Sequence, residues 1–232
     1  GNNKLDLIYP NTISFMKNIG HPEIPVFKGS EDSHEDNEAA RFLVEMAKKY
    51  EGDLSLLVLG STTNLYHAWL LDNDFYRKIK VISLMGGITE PLIINGKSGV
   101  QSIELEDKRI LNLQSNSIEY LDDDFWLIDI KEYKGLNELN LSCNYRASLN
   151  VLEHGRNIII ATGNTCLDGF FTRERFERLK EGNDFERWLY DNSLYWFNRE
   201  KCVFDNHGIY IWDVLAAAAL LNPDLFIENL VE

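Results

Sequence analysis

Apolar and polar residues alternate along this chain in blocks that predict a succession of strands and helices. Leu54–Leu59 is a short apolar run that ends at Gly60, and hydroxyl and amide side chains follow it. An amphipathic stretch then continues through Trp69, which is how a buried parallel strand passes into a helix. Val81–Gly87 repeats the pattern of an apolar strand that ends in glycine.

The rest of the chain continues this alternation. One further strand is predicted at Asn157–Thr162. Further helices are predicted at Glu38–Tyr50, Ala147–His154, Phe171–Lys180, Phe185–Asn198 and Trp212–Leu221. Strands that alternate with helices imply right-handed β-α-β units, so the predicted fold is α/β, with a Rossmann-like open, mostly parallel sheet flanked by helices. Such sheets bind ligands at the carboxyl ends of their strands. We therefore expect a site formed by Gly60–Asn64, Met85–Gly87 and Gly163–Cys166.

Residues 88–134 interrupt this rhythm. They contain Asn95-Gly96, a turn signal, and the acidic run Asp122–Asp124 beside the apolar Phe125–Ile130. The pattern predicts an inserted strand pair or a small excursion from the sheet. Because no internal repeat or low-complexity linker is present, residues 1–232 are predicted to form a single domain with an insertion at 88–134.

The composition and the net charge of the chain indicate which kinds of molecule it is not expected to bind. The chain has 232 residues, of which 44% are hydrophobic, and a formal net charge of −14. A chain this acidic repels phosphate backbones, which argues against nucleic acid as a partner. No apolar run approaches the roughly 20 residues of a membrane span, and the run at Leu215–Leu221 is typical of a buried helix. A membrane partner is therefore not expected.

Cysteine and histidine give no sign of a metal site. Cys143, Cys166 and Cys202 are far apart and lack Cys-x-x-Cys spacing, which predicts reduced structural thiols. His67 and His154 lie in predicted helices without a partner at ligand spacing, so both are interpreted as structural or surface residues. No signal peptide is visible, but a chain that lacks its true N-terminus would not show one. The compartment therefore stays open, with a cytoplasmic location favoured.

Two polar pairs are candidates for ligand binding. Thr63-Asn64 follows a predicted strand, where backbone groups face a crevice, although Thr is also a common helix N-cap. Glu138 and Asn140 would lie on one face if their segment were extended. A carboxylate beside an amide suits a polyol such as ribose, because together they donate and accept hydrogen bonds. A solvated strand face explains this second pair equally well.

A third pair precedes an alanine-rich helix. Asp213 could cap this helix, or it could be a hard oxygen ligand for Ca²⁺. In the second case Trp212 would present a flat surface to a purine ring. No Gly-x-Gly-x-x-Gly or P-loop pattern is present, which argues against a nucleotide-binding oxidoreductase and against nucleoside triphosphates.

In their order and spacing, several segments together resemble the inosine-uridine nucleoside hydrolase family, and the resemblance spans most of the chain. These segments are Gly1-Asn2 with Asn11 opening a helix, Ile24-Pro25-Val26 with Gly29, Gly60 to Asn64, Leu84 to Gly87, Glu138 to Asn140 with Asn144 and Ala147, and Gly208 to Ala216 followed by Leu221-Asn222-Pro223.

The resemblance implies a Ca²⁺-dependent enzyme that cleaves the N-glycosidic bond of a ribonucleoside into ribose and a free base. Thr63 would contribute a backbone carbonyl and Asp213 a carboxylate to Ca²⁺. The implied sugar pocket consists of Asn2, Met85, Glu138 and Asn140. The cation can bind the sugar diol and a water, lowering that water's pKa, and a neighbouring Asp then takes its proton. Family members are often dimers or tetramers, so a homo-oligomer is possible, but no interface is legible.

Three departures from the family pattern qualify this expectation. The Asp-x-Asp-x-x-x-Asp-Asp cluster, which supplies the general base and most Ca²⁺ carboxylates, is absent from this sequence. Many members have His where this chain has Trp212, and a purine-preferring branch carries Trp there, which favours purine nucleosides. The insertion at 88–134 is expected near the site mouth. The alternative is a catalytically inactive member that binds a nucleoside, ribose or a protein partner.

Overall fold

The computed structural model describes residues 4–31, 36–87, 139–198 and 208–226, and the backbone of five short strands between residues 93 and 120. Its α-helices, in chain order, are α1 (Leu5–Asn18), α2 (Glu38–Lys49), α3 (Thr63–Leu71), α4 (Leu139–Ser142), α5 (Tyr145–His154), α6 (Arg173–Arg178), α7 (Asp184–Asn198) and α8 (Trp212–Leu221). Two of these helices begin with asparagine caps. The side chain of Asn37 accepts from the backbone N–H of Ala40, and that of Asn144 accepts from Ala147, which satisfies N–H groups that a helix leaves unpaired.

The strands form one parallel sheet and three small antiparallel ones. They are β1 (Leu54–Val58), β2 (Ile79–Met85), β3 (Ile93–Ile94), β4 (Lys97–Ser98), β5 (Ser102–Glu104), β6 (Arg109–Asn112), β7 (Ser117–Tyr120), β8 (Ile158–Ala161), β9 (Phe170–Thr172) and β10 (Gly208–Tyr210). The parallel sheet has the order β1-β2-β8, with Leu56 opposite Ile82 and Leu84 opposite Ile160. The antiparallel sheets are β3-β4, β5-β6-β7 and β9-β10.

The central strand β2 is buried on both faces. Ile82 and Leu84, both fully buried, pack in the cluster that α2, α3 and α5 complete. Ser83 and Met85 alternate with them and therefore point to the other face, where the Ser83 hydroxyl donates to the carbonyl of Ala216 in α8 over 2.7 Å. The result is a mostly parallel α/β sheet flanked by helices on both faces, which confirms the predicted fold class.

A separate aromatic cluster connects the C-terminal half. Phe176, Tyr190 and Phe197 pack together, and the rings of Phe176 and Phe197 stack with centroids 3.7 Å apart. Phe171 of β9 packs against this cluster. The β9-β10 pair, which leads into α8, is thereby joined to α6 and α7.

Several element boundaries differ from the predictions. The helix expected at Phe171–Lys180 begins at Arg173, because Phe170–Thr172 pairs with β10 as a strand. The first helix begins at Leu5 rather than at Asn11. By contrast, α8 has the predicted bounds.

The extended conformation assumed for Glu138 to Asn140 is wrong for the part that the structure describes. Leu139 and Asn140 begin the helical turn α4, and residues in a helix turn by about 100° each, so positions two apart do not share a face. Glu138 lies outside the described residues. Within 88–134 the described backbone consists of short antiparallel strands, in keeping with the expected strand excursion, and the insertion itself stays a prediction. No helix among the described residues has the length and apolar character needed to cross a membrane.

The predicted roles of cysteine and histidine can be compared with their surroundings. Cys143 is exposed and Cys166 is buried, and neither forms a disulfide within the described part of the chain, whereas Cys202 lies outside the described residues. His67 is 2% exposed, and its Nδ1 accepts from the Asn37 side-chain amide over 2.7 Å. His154 stacks on Trp69 at 5.0 Å. Both histidines therefore pack within the helical layer.

Candidate functional site

The carboxyl ends of β1, β2 and β8 meet at one edge of the sheet because the three strands are parallel. Backbone hydrogen bonds hold the loops that leave them side by side. The N–H of Gly86 donates to the carbonyl of Ala161 over 3.2 Å, and that of Gly163 donates to Gly87 over 2.8 Å. Gly87 has φ of +80°, which glycine adopts without strain. The strand β2 can therefore end in a sharp turn beside β8.

Thr63 lies at the end of β1 as predicted, and its side chain is engaged within the protein. Its Oγ1 lies 2.7 Å from Ser61 Oγ and accepts from the Asn144 amide over 3.1 Å. The helix α3 begins at Thr63 after Thr62, which makes no side-chain cap hydrogen bond. The hydroxyl of Thr63 therefore joins the loop after β1 to the start of α5. The group of Thr63 that was predicted to bind a cation is its backbone carbonyl.

Met85 and Asn140 are brought into direct contact. Asn140 Nδ2 donates to the Met85 carbonyl over 2.9 Å and lies 3.1 Å from its Sδ. Asn140 is 5% exposed and Met85 is 7% exposed. The amide of Asn140 thus anchors α4 over the end of β2, besides any role toward a ligand.

Trp212 is the first residue of α8. It packs against the buried cluster of Met85, Ala161, Cys166 and Ala216, and its carbonyl accepts a weak bond from the Cys166 thiol at 3.6 Å. The Ile211 N–H donates to Gly169 over 3.0 Å and fixes the entry to the helix. The structure therefore places three sequence-predicted site residues, Met85, Asn140 and Trp212, in one contiguous group.

Asp213 follows in the first turn of α8 and is exposed. The flanking residue of this helix is Ile211, which makes no side-chain cap bond. Asp213 therefore lies in the first turn of α8 and not at its N-cap position. A carboxylate in a first helical turn interacts favourably with the helix dipole, so stabilisation of the helix start and cation binding both stay predictions for this residue.

Tyr210 is a neighbour of this group that the sequence did not single out. Its ring lies 5.5 Å from Trp212 and 5.0 Å from Phe170. Burial raises the pKa of Tyr210 above its ordinary value, so its hydroxyl stays protonated at neutral pH. The only sequence signal was its position two residues before Trp212, since alternate residues of a strand share a face.

A cavity of about 410 Å³ opens on the other side of Thr63, between α1 and the loop after β1. Asn64 lines it, and among the described residues its buried Oδ1 has no hydrogen-bond partner. Gly29 approaches so closely that a Cβ there would lie 2.8 Å from that Oδ1. The cavity is large enough for a small polar ligand, and it presents an acceptor that requires a donor or water.

The donor set for a cation is incomplete in the described part of the chain. That part contains no group of three or more His, Cys, Asp or Glu side chains that could hold a metal ion. Ca²⁺ takes about six to eight oxygen ligands, and the predicted donors are only the Thr63 carbonyl and the Asp213 carboxylate. The described residues therefore do not form a Ca²⁺ site by themselves. Asn2 and Glu138, two further predicted site residues, lie outside them.

Open parallel α/β sheets that bind ligands do so at the carboxyl ends of their strands, and apolar and amide groups gather at that edge in this chain. The model of the inosine-uridine preferring nucleoside hydrolase family matches residues 1–232. The chain therefore belongs to this family, as its ordered segments predicted.

Individual relatives agree with this assignment. A probable uridine nucleosidase 1 of Oryza sativa subsp. japonica is 27% identical over 106 residues, a match that covers 33% of this chain and 33% of the relative. A plant nucleoside hydrolase has a similar structure, with a TM-score of 0.70 and 18% identity over 98% of this chain and 69% of that one. A purine-preferring ribonucleoside hydrolase from Gardnerella vaginalis gives a TM-score of 0.68 at 19% identity, with 98% and 71% covered. The match thus spans about a third of the curated relative, and the structural likeness concerns the fold.

Proposed function

We propose that the protein hydrolyses the N-glycosidic bond of ribonucleosides, releasing ribose and a free base. The observation that supports this most directly is the contiguous group of Met85, Asn140 and Trp212 at the carboxyl edge of the sheet. A nucleoside has a polyol at one end and a flat aromatic base at the other. The group offers an amide for the first and an indole for the second, in a member of a nucleoside hydrolase family.

In this proposal Asn140 and Glu138 bind ribose hydroxyls, and Met85 and Asn2 line the sugar pocket. Trp212 stacks on the base, which activates it as a leaving group. We propose a preference for purine nucleosides, because a two-ring base covers more of an indole face than a pyrimidine does. The half-buried position of Trp212, held by the Met85 cluster and by Tyr210, supports a rigid stacking surface.

We propose Ca²⁺ as the cofactor, with the Thr63 carbonyl and the Asp213 carboxylate among its ligands. Since the described residues do not complete such a site, further oxygen ligands are required. When bound, Ca²⁺ would supply a water of lowered pKa.

A catalytically inactive member that binds a nucleoside, ribose or a protein partner is the second candidate. It is favoured by one observation, the lack of an acidic cluster among the described residues. Hydrolysis by a glycosidase-type mechanism needs a carboxylate to activate water. The two candidates differ in turnover and not in the binding of a nucleoside.

The test is an assay of the intact protein with inosine and with uridine, with Ca²⁺ and after chelation. We expect turnover that requires Ca²⁺, loss of more than about 100-fold in kcat for Asp213→Ala, as for other electrostatic site groups, and little change for the exposed control Asp191→Ala. Trp212→Leu should lower kcat/KM for inosine more than for uridine. Calorimetric binding of inosine without turnover would favour the inactive binder. Normal turnover by Asp213→Ala would contradict its assignment.

Asn140 needs a control for folding, because it also anchors α4 to β2. Asn140→Ala should abolish hydrolysis, and its thermal unfolding should be measured in parallel. Asn140→Asp keeps the size and removes the donor to the Met85 carbonyl. If either variant is as active as the wild type, the sugar-binding role of Asn140 is wrong.

A further inference from the structure

The side of α8 that packs on the sheet has small side chains at its centre. The most buried residues of this helix are Ala216 and Ala219, which are 0% and 6% exposed. The larger Trp212 and Leu215, at the start of the helix, pack against the cluster that contains Ala216. Methyl groups interlock less with a sheet than large side chains do, and interlocking is what selects one packed arrangement among several. Apolar contact at the alanines therefore does little to fix the position of α8 along the sheet.

One hydrogen bond joins this side of α8 to the central strand. The Ser83 hydroxyl of β2 donates to the carbonyl of Ala216 over 2.7 Å, and both residues are fully buried. In an α-helix that carbonyl also accepts from the N–H four residues later, here that of Leu220, and a carbonyl oxygen has two lone pairs. The Ser83 bond therefore adds a directional contact and leaves the helix intact. Since a buried hydroxyl is costly when unpaired, the bond favours the one position of α8 in which it forms.

The acceptor of this bond lies about one turn from the candidate site residues of α8. Ala216 follows Trp212 by four residues and Asp213 by three, so the three occupy neighbouring positions on the helix surface. On the strand, Met85 follows Ser83 by two residues and lies on the same face of β2. The Ser83 bond thus ties the strand that carries Met85 to the helix that carries Trp212 and Asp213.

We infer that Ser83 is a positioning residue for the candidate site and that it acts through the backbone of α8. The inference rests on the proposed function, in which Trp212 and Asp213 belong to the site. Ser83 is 0% exposed, so it acts through Ala216 and not by contact with a ligand. Without the bond, α8 is free to shift on β2 and to carry both site residues with it. A displacement of about 1 Å at a site can lower a rate on the order of 100-fold.

The test compares variants at position 83 with a matched control on the other face of the sheet. Ser83→Ala removes the hydroxyl. Ser83→Thr keeps the hydroxyl and adds a methyl group, whereas Ser83→Val has the shape of the threonine variant without the hydroxyl. The control Tyr76→Phe removes another buried hydroxyl, which donates to Asn150 Oδ1 over 2.9 Å. Tyr76 packs in the cluster with α3 and α5, on the face opposite α8.

The first readout is the affinity for inosine, by calorimetry, together with kcat and KM, all well below the unfolding temperature of each variant. Affinity can be compared whether the protein hydrolyses inosine or only binds it. Ser83→Ala should weaken binding or lower kcat/KM at least about tenfold, because the site residues of α8 are displaced. Ser83→Thr should exceed Ser83→Val in the same quantity at least about fivefold. Tyr76→Phe should equal the wild type, although it loses a bond of the same kind.

The second readout is hydrogen exchange of the backbone amides, followed by mass spectrometry, which needs no ligand. An element that opens locally exchanges its own amides faster than the rest of the chain. In Ser83→Ala the α8 amides should exchange at least about tenfold faster, and those of α5 should be unchanged. Tyr76→Phe should give the reverse pattern. A general loss of stability would speed the exchange of both helices, so the contrast separates positioning from destabilisation.

The two readouts distinguish failure of the inference from failure of the proposed function. A wild type that neither binds nor hydrolyses inosine contradicts the proposed function, while faster α8 exchange in Ser83→Ala still supports the anchoring of the helix. Wild-type α8 exchange in Ser83→Ala overturns the inference. So does faster α8 exchange with unchanged affinity and kcat/KM for inosine, or a threonine variant that is no better than the valine variant.

Discussion

The buried hydroxyl of Tyr76 offers a direct test of how the α3–α5 layer is held to the sheet. Tyr76 is 2% exposed, and its hydroxyl donates to Asn150 Oδ1 over 2.9 Å. The Tyr76→Phe substitution removes the donor and keeps the ring, which also packs edge-on against Phe75 at 5.2 Å. The change therefore leaves the carbonyl oxygen of Asn150 buried without its donor.

The size of the stability loss depends on whether the buried acceptor keeps a donor. A typical intramolecular hydrogen bond contributes about 1 kcal/mol net, but a buried acceptor left unpaired costs about 1–3 kcal/mol. Since both partners are almost fully buried, we expect the free energy of unfolding of Tyr76→Phe to fall by about 2 kcal/mol. For a chain of this length that corresponds to a decrease in Tm of about 4–8 °C.

Urea unfolding followed by circular dichroism measures this change. The dependence on urea should keep its slope, because the surface exposed on unfolding is the same. Tyr50→Phe is the matched control: Tyr50 is 47% exposed, and its loss of a hydroxyl should cost less than about 0.5 kcal/mol. The double variant Tyr76→Phe/Asn150→Leu should recover part of the loss, since no unpaired acceptor remains. A Tyr76→Phe variant as stable as the control would refute the buried hydrogen bond.

The contribution of the Tyr76 hydroxyl to stability is expected to be lost at alkaline pH. Burial raises the pKa of Tyr76 above its ordinary value of 10.0. In the unfolded chain this tyrosine ionises near pH 10, whereas in the folded chain it does not, so the unfolded state binds fewer protons there. Its contribution is fully present below about pH 10 and is lost as the pH rises toward the folded-state pKa. The difference between wild type and Tyr76→Phe should therefore shrink between about pH 9 and about pH 11.

Three further changes test other parts of the structure. Lys78, whose Nζ lies 2.9 Å from Asp72, holds the pKa of that carboxyl below its ordinary value. Asp72→Asn should therefore cost about 1 kcal/mol at neutral pH and progressively less as the pH falls below about 4 and through the lowered folded-state pKa, as urea unfolding would measure. Asn37→Ala should cost at least about 1–2 kcal/mol by the same assay, because it removes both the α2 cap and the donor to the buried His67 Nδ1. Gly29→Ala should lower kcat/KM in the nucleoside assay, because its Cβ displaces the Asn64 amide.

Each of these predictions has an outcome that contradicts it. The exposed pair of Arg77 and Asp74 provides the control for the first, since Asp74→Asn should cost less than about 0.5 kcal/mol. An Asp72→Asn loss that persisted at acid pH would mean that the ion pair is not its source. An unchanged stability of Asn37→Ala would show that the cap is not formed in solution. Full activity of Gly29→Ala would mean that the cavity beside Thr63 is not part of the site that acts on the nucleoside.

The long periodic elements could be predicted from the sequence alone. The alternation of apolar runs and helical spacing located β1, β2, β8, α2, α5, α7 and α8 to within a few residues, because the spacing of buried side chains is a local property of each element. The family was indicated by the resemblance of several ordered segments, whose residue types and spacing stand in the sequence itself.

Short elements could not be predicted in this way, because their partners decide them. Phe171 and Thr172 were predicted as the first residues of a helix, but Phe170–Thr172 forms a strand that pairs with Gly208–Tyr210. Leu139–Ser142 forms a helical turn where an extended pair was expected. The contact of Asn140 with the end of β2 holds this segment in place. The local pattern of apolar and polar residues does not indicate that contact.

The sequence by itself supplied the candidate residues Thr63, Met85, Asn140, Trp212 and Asp213, from their types, their positions and a family resemblance, and their roles stay predictions. Only the tertiary structure decided which of them meet. Met85 and Asn140 are 55 positions apart, and they touch because α4 returns to the carboxyl end of β2. Trp212 packs against the buried cluster that contains Met85, because α8 lies on the face of the sheet opposite α3 and α5. Contacts between residues this far apart in sequence depend on how the helices pack on the sheet and how the chain connects the strands. A local pattern of residues gives no information on either.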